Sequence, residues 1–166
     1  MYIRYNVKSP PSVSAIDATT LGQGLITMSH ISNEPKIVSP SNGTVAGGVR
    51  QVLRLEGLAM LVVATYAYFA SGGNLWLYAA LFFAPDLSFF AYAVNARLGA
   101  VAYNTVHSYA SAALLAGAGW LLGVDLLWHI ALILVAHAGF DRAVGYGLKY
   151  ATAFNHTHLG FVGKSA

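Results

Sequence analysis

Four long apolar runs, separated by short polar turns, constrain the fold of this chain more than any other feature. They are residues 52–70, 75–94, 98–122 and 126–146. About 20 residues in a helix, at about 1.5 Å each, cross the roughly 30 Å hydrocarbon core of a bilayer. Because each run is apolar on nearly every face, the sequence predicts an all-α, four-helix transmembrane bundle with up-down-up-down order.

The composition supports a membrane environment and excludes several classes of site. The chain is 57% hydrophobic and 9% charged, whereas soluble domains carry about 25% charged residues. A soluble helical protein with every helix buried stays open as an alternative, and the lack of alternation disfavours a β-barrel. Since there is no cysteine, disulfides, thiolate metal sites and thiol nucleophiles are excluded. The net charge of +3 is small, so we expect a lipid bilayer rather than nucleic acid as partner.

The two ends of the chain differ from its apolar body. Residues 1–49 are rich in Ser, Thr, Gly and Pro and show no helical or strand period, which predicts a disordered tail. An alternative start at Met28 stays open. The integral membrane domain is expected over residues 50–160, followed by a short tail, 161–166.

Basic residues mark one end of the predicted bundle. They are Arg50, Arg54, Arg97, Arg142, Lys149 and Lys164. The opposite turns contain neither Lys nor Arg, and three tryptophans, Trp76, Trp120 and Trp128, lie near that end. By the positive-inside rule we expect a multi-pass protein of the inner (plasma) membrane with both termini in the cytoplasm.

One acidic residue, Asp86, lies near the middle of the second run. A carboxylate at that depth costs about 2.5–3.5 kcal/mol on insertion scales. Pro85 removes a backbone donor beside it and predicts a kink. Such a residue is retained only where polar groups inside the protein compensate for it, so the sequence predicts a buried polar pocket.

Other runs supply partners at similar depth. The candidate site residues are Asp86, His107, His137, Asp141, Glu56 and Asn104. His107 and Asn104 share one helical face, and His137 and Asp141 are spaced four residues apart on another. The alternative for each residue alone is structural: a membrane histidine often forms only an interhelical hydrogen bond, and Glu56 has arginines nearby with which to pair.

Two kinds of chemistry suit this set of side chains. In a metal-assisted site, His107, His137, Asp141 and His158 are the candidate ligands of a divalent ion. In a metal-free site, Asp86 is the acid, the two buried histidines are bases, and Asp141 orients His137. The sequence contains no H-E-x-x-H metal motif, so the choice between the two stays open.

Several separate motifs occur in a fixed order along the chain. They are RLEG at 54–57, APDLS at 84–88, YN at 103–104, HSY at 107–109, AHAGFDR at 136–142, GYGLKY at 145–150 and THLG at 157–160. Over about residues 52–160 this set resembles the small bacterial integral membrane proteins grouped as domain of unknown function 4260. The resemblance implies a compact four-helix membrane protein and implies no activity.

The sequence leaves two hypotheses of function. The first is a membrane-embedded enzyme that acts on an apolar, lipid-like small molecule. The second is a non-enzymatic protein, either a small transporter, a proton-coupled carrier or a subunit of a membrane complex. An enzyme predicts a cavity that opens sideways to lipid, with Asp86 and His107 near a common point.

Overall fold

The computed structural model describes residues 43–163, which fold mainly into helices. The helices are α1 (Gly47–Ala70), α2 (Leu75–Phe82), a 3-10 helix (Ala84–Ala93), α3 (Ala96–Val106), α4 (Tyr109–Leu122) and α5 (Asp125–Val144). A short antiparallel hairpin of β1 (His156–Thr157) and β2 (Gly160–Phe161) follows. The all-α class is confirmed. Of the tail predicted to be disordered, residues 1–49, the part up to residue 42 lies outside the described residues.

Within residues 43–163, three helical segments are long and apolar enough to cross a membrane. They are Gly47–Ala70, Leu75–Ala93 and Asp125–Val144, and α4 is apolar but shorter. Large apolar side chains such as Trp76 and Trp120, each 80% exposed, cover the outer surface. Exposed apolar surface of this extent is typical of a protein that lies in lipid, so the structure is compatible with an integral membrane protein.

The second and third apolar runs are interrupted, which differs from the single helices expected there. In the second run, α2 ends at Phe82 and a 3-10 helix begins at Ala84, with Pro85 in its first turn. In the third run, α3 ends before His107, and the Ser108 hydroxyl accepts a hydrogen bond from the Ala110 N–H to start α4. The up-down-up-down order therefore stays a prediction.

Helix α5 is the central element, and α1 and α4 pack against it. At the crossing with α1, a Cβ added to Gly57 would lie 2.8 Å from the Gly139 carbonyl oxygen. One added to Gly139 would lie 2.6 Å from the Gly57 carbonyl oxygen. The two backbones therefore approach as closely as glycine alone permits, as in small-residue membrane crossings. This contact fixes the half of α5 that carries His137 and Asp141.

The segment after α5, residues 145–163, forms a C-terminal flap. Helix α5 ends at Val144 and is capped by Gly145, whose left-handed φ of 103° favours glycine. The flap contains the β-hairpin and a further bridge between Lys149 and Thr157. The Val45 N–H donates to the His158 carbonyl at 2.9 Å, so the flap is also bonded to the chain that leads into α1.

Candidate functional site

Four ionisable side chains from three helical segments meet inside the protein. They are Asp86 of the 3-10 helix, His107 at the end of α3, and His137 and Asp141 of α5. One ligand atom from each lies within 4.8 Å of every other. We call this set the Asp/His cluster. The convergence that the sequence predicts for these four residues is therefore present.

Each interruption of a helix places one member of the Asp/His cluster. Asp86 directly follows Pro85, and its N–H bonds to the Phe83 carbonyl in the 3-10 pattern. His107 is the C-cap of α3. The carbonyl of His107 accepts a hydrogen bond from the Arg142 guanidinium at 3.2 Å, so a side chain of α5 satisfies the group that the interruption exposes.

The donor atoms are spaced like the ligands of a single ion. His107 Nε2 lies 3.0 Å from His137 Nε2 and 3.5 Å from both Asp86 Oδ1 and Asp141 Oδ2. His137 Nε2 lies 3.5 Å from Asp86 Oδ1. A tetrahedral zinc site with bonds of about 2.0–2.1 Å has ligand atoms about 3.3 Å apart. These four spacings match four of the six edges of such a site, and the remaining spacings between members of the cluster are no longer than 4.8 Å.

The orientation of His107 is set by Tyr103. His107 Nδ1 lies 2.9 Å from the Tyr103 carbonyl oxygen, which can only accept, so Nδ1 carries the proton. In the neutral ring Nε2 then presents a lone pair to the Asp/His cluster. Tyr103 also donates its hydroxyl proton to Asp141 Oδ2, and its ring stacks on His107 at 3.6 Å. Outer contacts of this kind orient metal ligands in proteins.

His137 is held differently. Its Nε2 faces the cluster, whereas its Nδ1 is buried and has no hydrogen-bond partner among the described residues. The edge of the Phe82 ring packs against the imidazole, with centroids 5.3 Å apart. The prediction that Asp141 orients His137 is wrong for this structure, since Asp141 is bonded to Tyr103 instead.

The two histidine Nε2 atoms at 3.0 Å form an unusual pair. Because the His107 Nε2 carries a lone pair, His137 must donate from its own Nε2 when nothing lies between them. A cation at the centre would accept both lone pairs instead and would shift the proton of His137 to Nδ1. The geometry therefore suits both a hydrogen-bonded pair and a pair of metal ligands.

The Asp/His cluster is open on one side only. His107 and His137 are each 1% exposed and Asp141 is 9% exposed, whereas the Asp86 side chain is 37% exposed. No hydrogen bond to the Asp86 carboxylate is present among the described residues, and its nearest ionisable neighbours are the two histidine Nε2 atoms, at 3.5 Å. Asp86 is thus the member that an entering molecule would meet first, and the one most free to move.

Behind Tyr103 lies a buried ammonium group. Lys149 is 4% exposed, and its Nζ donates to the Phe154 carbonyl at 2.9 Å. The same nitrogen lies 3.8 Å from the Phe154 ring centroid and 4.8 Å from that of Tyr103, in cation–π contact. Burial lowers the pKa of the Lys149 ammonium. The flap therefore contacts the Asp/His cluster through Lys149 and Tyr103.

The other candidate site residues lie outside the cluster. Asn104 exchanges two hydrogen bonds with the backbone of Lys149, at 2.7 and 2.9 Å, and so anchors the flap to α3. His158 accepts from the Leu148 N–H at 2.8 Å, and burial lowers the pKa of its imidazole. Glu56 is exposed on α1. These positions favour structural roles for Asn104 and His158.

Sequence reasoning missed the roles of Tyr103 and Lys149. The spacing of four residues between Tyr103 and His107 places them on one face, which was the available signal. Nothing local indicates that the Tyr103 hydroxyl reaches Asp141, 38 residues away. Lys149 lies after the last apolar run, where a basic residue is expected on orientation grounds alone.

Comparison with known proteins identifies the family. The family model for the domain of unknown function DUF4260 matches residues 50–162. The chain therefore belongs to this family, which confirms the resemblance of its motifs, and the matched range contains all four members of the Asp/His cluster. No curated protein and no solved structure matches the chain.

Proposed function

We propose that this member of the DUF4260 family is a membrane-embedded, metal-dependent hydrolase. His107, His137 and Asp141 bind one divalent ion, and Asp86 acts beside it as the general base. A single observation supports the proposal above all: four nitrogen and oxygen donors from three separate segments lie within 4.8 Å of one another. Two imidazoles and carboxylate oxygens suit zinc, and also iron and manganese.

The electrostatics of the site favour a bound cation. Asp86 and Asp141 bring two carboxylates to a position among apolar helices, where uncompensated charge is costly. A divalent ion would neutralise both carboxylates. Two of the three proposed ligands also have the outer contacts of a metal site, since the Tyr103 carbonyl fixes the His107 tautomer and the Tyr103 hydroxyl orients Asp141.

We divide the four side chains into three ligands and one base because their surroundings differ. Catalytic metal sites keep three protein ligands and one open position. His107, His137 and Asp141 are buried, whereas Asp86 is 37% exposed on its side chain and lies 3.5 Å from both histidine Nε2 atoms. Asp86 Oδ1 lies close to the fourth position in this structure, so as the base its exposed side chain turns aside and contacts a water molecule that takes this position.

The chemistry follows from these roles. A divalent ion, when bound, would act as a Lewis acid that polarises a carbonyl oxygen and lowers the pKa of water. Asp86 accepts a proton from the attacking water and returns it to the leaving oxygen, so that ester and water become acid and alcohol. Because the chain has no cysteine, a thiol nucleophile is excluded, and water is the simplest attacking group.

We propose a multi-pass location in the plasma membrane with both termini cytoplasmic. Arg54 donates to the Ala143 carbonyl at 2.8 Å, so the start of α1 and the end of α5 lie at the same end of the molecule. That end also carries Arg50 and Arg142, while Asp125 and the exposed Trp120 lie at the other end of α5 and α4. This charge asymmetry supports the orientation.

Elemental analysis of detergent-purified protein tests the proposal. We expect about one zinc, iron or manganese ion per chain in the wild type and in Asp86→Asn, and almost none in His137→Ala. His129→Ala is the matched control, because His129 contacts Ser71 near the other end of α5, and it should retain the metal. A wild type without metal would contradict the metal site and favour a proton carrier or a complex subunit.

Hydrolysis of fluorogenic acyl esters in mixed micelles separates binding from catalysis. Asp86→Asn should retain metal and lose most of its activity, about 100-fold or more, as expected for removal of a general base. Equal activity in Asp86→Asn and the wild type would contradict the assignment of the base.

A further inference from the structure

An apolar groove of about 230 Å³ runs along α5 next to the Asp/His cluster. Its lining residues come from the interruption after α2, from the end of α3 and from α5. They are Leu81, Ala84, Pro85, Val106, Ile130, Ile133 and Leu134.

The groove is lined by close sequence neighbours of the cluster residues on all three segments, and none of the four cluster residues is itself part of the lining. Pro85 directly precedes Asp86, Val106 directly precedes His107, and Ile133 lies one helical turn before His137. On α5, positions 130, 133, 134, 137 and 141 follow the spacing of a single helical face. The groove and the metal ligands of α5 therefore share one face, with the groove extending from the cluster toward the Asp125 end of the helix.

The chemistry and size of the groove restrict what fits it. All seven lining residues are apolar, so the groove itself offers no side-chain partner for a charged or hydrogen-bonding group. Its volume of about 230 Å³ lies below the roughly 300–1,000 Å³ of pockets for drug-sized molecules. A narrow apolar groove along a span that can cross a membrane suits a single hydrocarbon chain.

A second, larger apolar crevice is less suitable. It measures about 650 Å³ and lies between α1, α2 and Phe140. Phe82 lines this crevice and also packs on His137, so its ring stands between the crevice and the cluster. The smaller groove differs in that its lining comes from all three segments that carry the Asp/His cluster, and we take it as the approach.

We infer that the substrate is a single-chain lipid with an oxygen-containing head, such as a long-chain acyl ester, whose hydrocarbon chain lies in the Pro85–Val106–Leu134 groove. The head reaches the cluster on the exposed side of Asp86. This inference rests on the proposed metal-dependent hydrolase. Because a volume of about 230 Å³ accommodates one hydrocarbon chain, we expect a preference for single-chain lipids over polycyclic molecules.

Alkyl hydroxamates provide a test that does not depend on turnover. A hydroxamate head binds a metal directly, and its visible-region effect on cobalt(II)-loaded protein reports occupancy. Acetohydroxamate and octanohydroxamate differ by six methylene groups, each of which is worth up to about fourfold in affinity when buried. Detergent micelles compete with the groove for the hydrocarbon chain of the hydroxamate. Comparison with variants in the same micelles therefore isolates the contribution of the groove to affinity.

Leu134→Trp fills the groove, and Leu126→Trp is the matched control because Leu126 is 52% exposed on α5 and does not line it. We expect the preference for octanohydroxamate over acetohydroxamate to fall at least tenfold in Leu134→Trp and to be unchanged in Leu126→Trp. Acetohydroxamate should bind all three proteins equally. Val106→Trp, at the other wall, should reproduce the effect and replaces Leu134→Trp should that variant misfold.

The outcomes separate this inference from the proposed function. Suppose that cobalt binds and its spectrum responds to acetohydroxamate, but the chain-length preference is the same in Leu134→Trp, Val106→Trp and the wild type. This result would contradict the inference about the groove and leave the proposed metal site in place. A wild type that takes up no cobalt, or whose spectrum no hydroxamate changes, would overturn the proposed open metal site and the groove with it.

Discussion

Helix α1 and the segment from α2 to α4 both pass through an apolar region, but they are built in different ways. α1 runs without interruption from Gly47 to Ala70 and contributes no member to the Asp/His cluster. The apolar runs 75–94 and 98–122 are each interrupted once, and each of these interruptions places one member, Asp86 or His107. The continuous helix fixes α5 in place, and the interrupted segments bring ionisable groups to it.

This difference separates stability from chemistry. Changes at the α1–α5 crossing should affect folding first and the cluster as a consequence. Changes near the interruptions should affect the cluster while the helices remain intact. A change at the α1–α5 crossing that altered the cluster without affecting folding would contradict this separation of stability from chemistry. The following variants test it, from the largest expected effect to the smallest.

The largest expected effect on stability is that of Gly139→Ala at the crossing. The new Cβ would meet the Gly57 carbonyl oxygen at 2.6 Å and the Leu61 nitrogen at 2.7 Å, both backbone atoms. Overpacking of this kind destabilises by about 1–3 kcal/mol. We expect a lower midpoint of thermal unfolding in detergent and a smaller folded fraction by size-exclusion chromatography.

Gly117→Ala is the control for that variant. Gly117 lies in α4, and no atom comes within 4 Å of an added Cβ, so the same change should stabilise the helix by up to about 1 kcal/mol. Equal destabilisation by both variants would show that α1 and α5 are not packed as closely as described.

Tyr103→Phe should affect the cluster without unfolding the protein. The phenyl ring keeps its stacking on His107 and Phe89, while the hydroxyl donor to Asp141 is lost. Loss of such an outer contact typically weakens metal binding 10–100-fold. Titration with a chromophoric chelator would measure the change.

Tyr92→Phe is the matched control for Tyr103→Phe, because the buried Tyr92 hydroxyl has no partner among the described residues. It should leave metal affinity unchanged. Equal metal affinity in Tyr103→Phe and the wild type would show that the Tyr103 hydroxyl does not contribute to metal binding.

Ser108→Ala tests the second interruption directly. The Ser108 hydroxyl caps α4 by accepting from the Ala110 N–H at 3.1 Å, and loss of an N-cap costs about 1 kcal/mol. We expect a smaller fall in thermal stability than in Gly139→Ala, together with a measurable fall in metal affinity because His107 is adjacent. Ser71→Ala, at a turn remote from the cluster, should leave metal affinity unchanged.

The smallest effect concerns pH and the flap. The Nδ1 of His158 accepts from the Leu148 N–H only while the ring is neutral, and burial, followed by the positive charge of Arg142, lowers its pKa in the folded protein. The unfolded chain therefore binds more protons than the folded one. The contribution of His158 to the stability of the folded flap is thus present above about pH 6.5 and is lost as pH falls. Proteolysis of the flap should become faster between pH 7.5 and 5.5.

His158→Gln removes the titrating group and serves as the comparison. Its flap should show little change in proteolysis across the same pH range, whereas the wild type changes. The same pH dependence in both proteins would mean that another group controls the flap.

Local patterns in the sequence were sufficient to predict part of the fold and of the candidate site. The apolar runs predict helices of membrane length, and Pro85 predicts the disturbance beside Asp86. The spacing of four residues predicts that His137 and Asp141 share a face of one helix. The interruption at His107 was not predicted, because Leu98–Leu122 is apolar throughout except for isolated polar groups that a helix tolerates.

The sequence by itself determined the helical class and the presence of costly ionisable groups within apolar runs, because these depend on composition and on periodicity within about 20 residues. It also determined the family, through the order of its motifs along the chain. Only the tertiary structure decided which of those groups meet, since His107 and His137 are 30 positions apart and Tyr103 and Asp141 are 38 apart. Such contacts depend on how closely α1, α4 and α5 pack and on where the helices break. Those features arise from the balance of backbone hydrogen bonding and side-chain packing across the whole molecule.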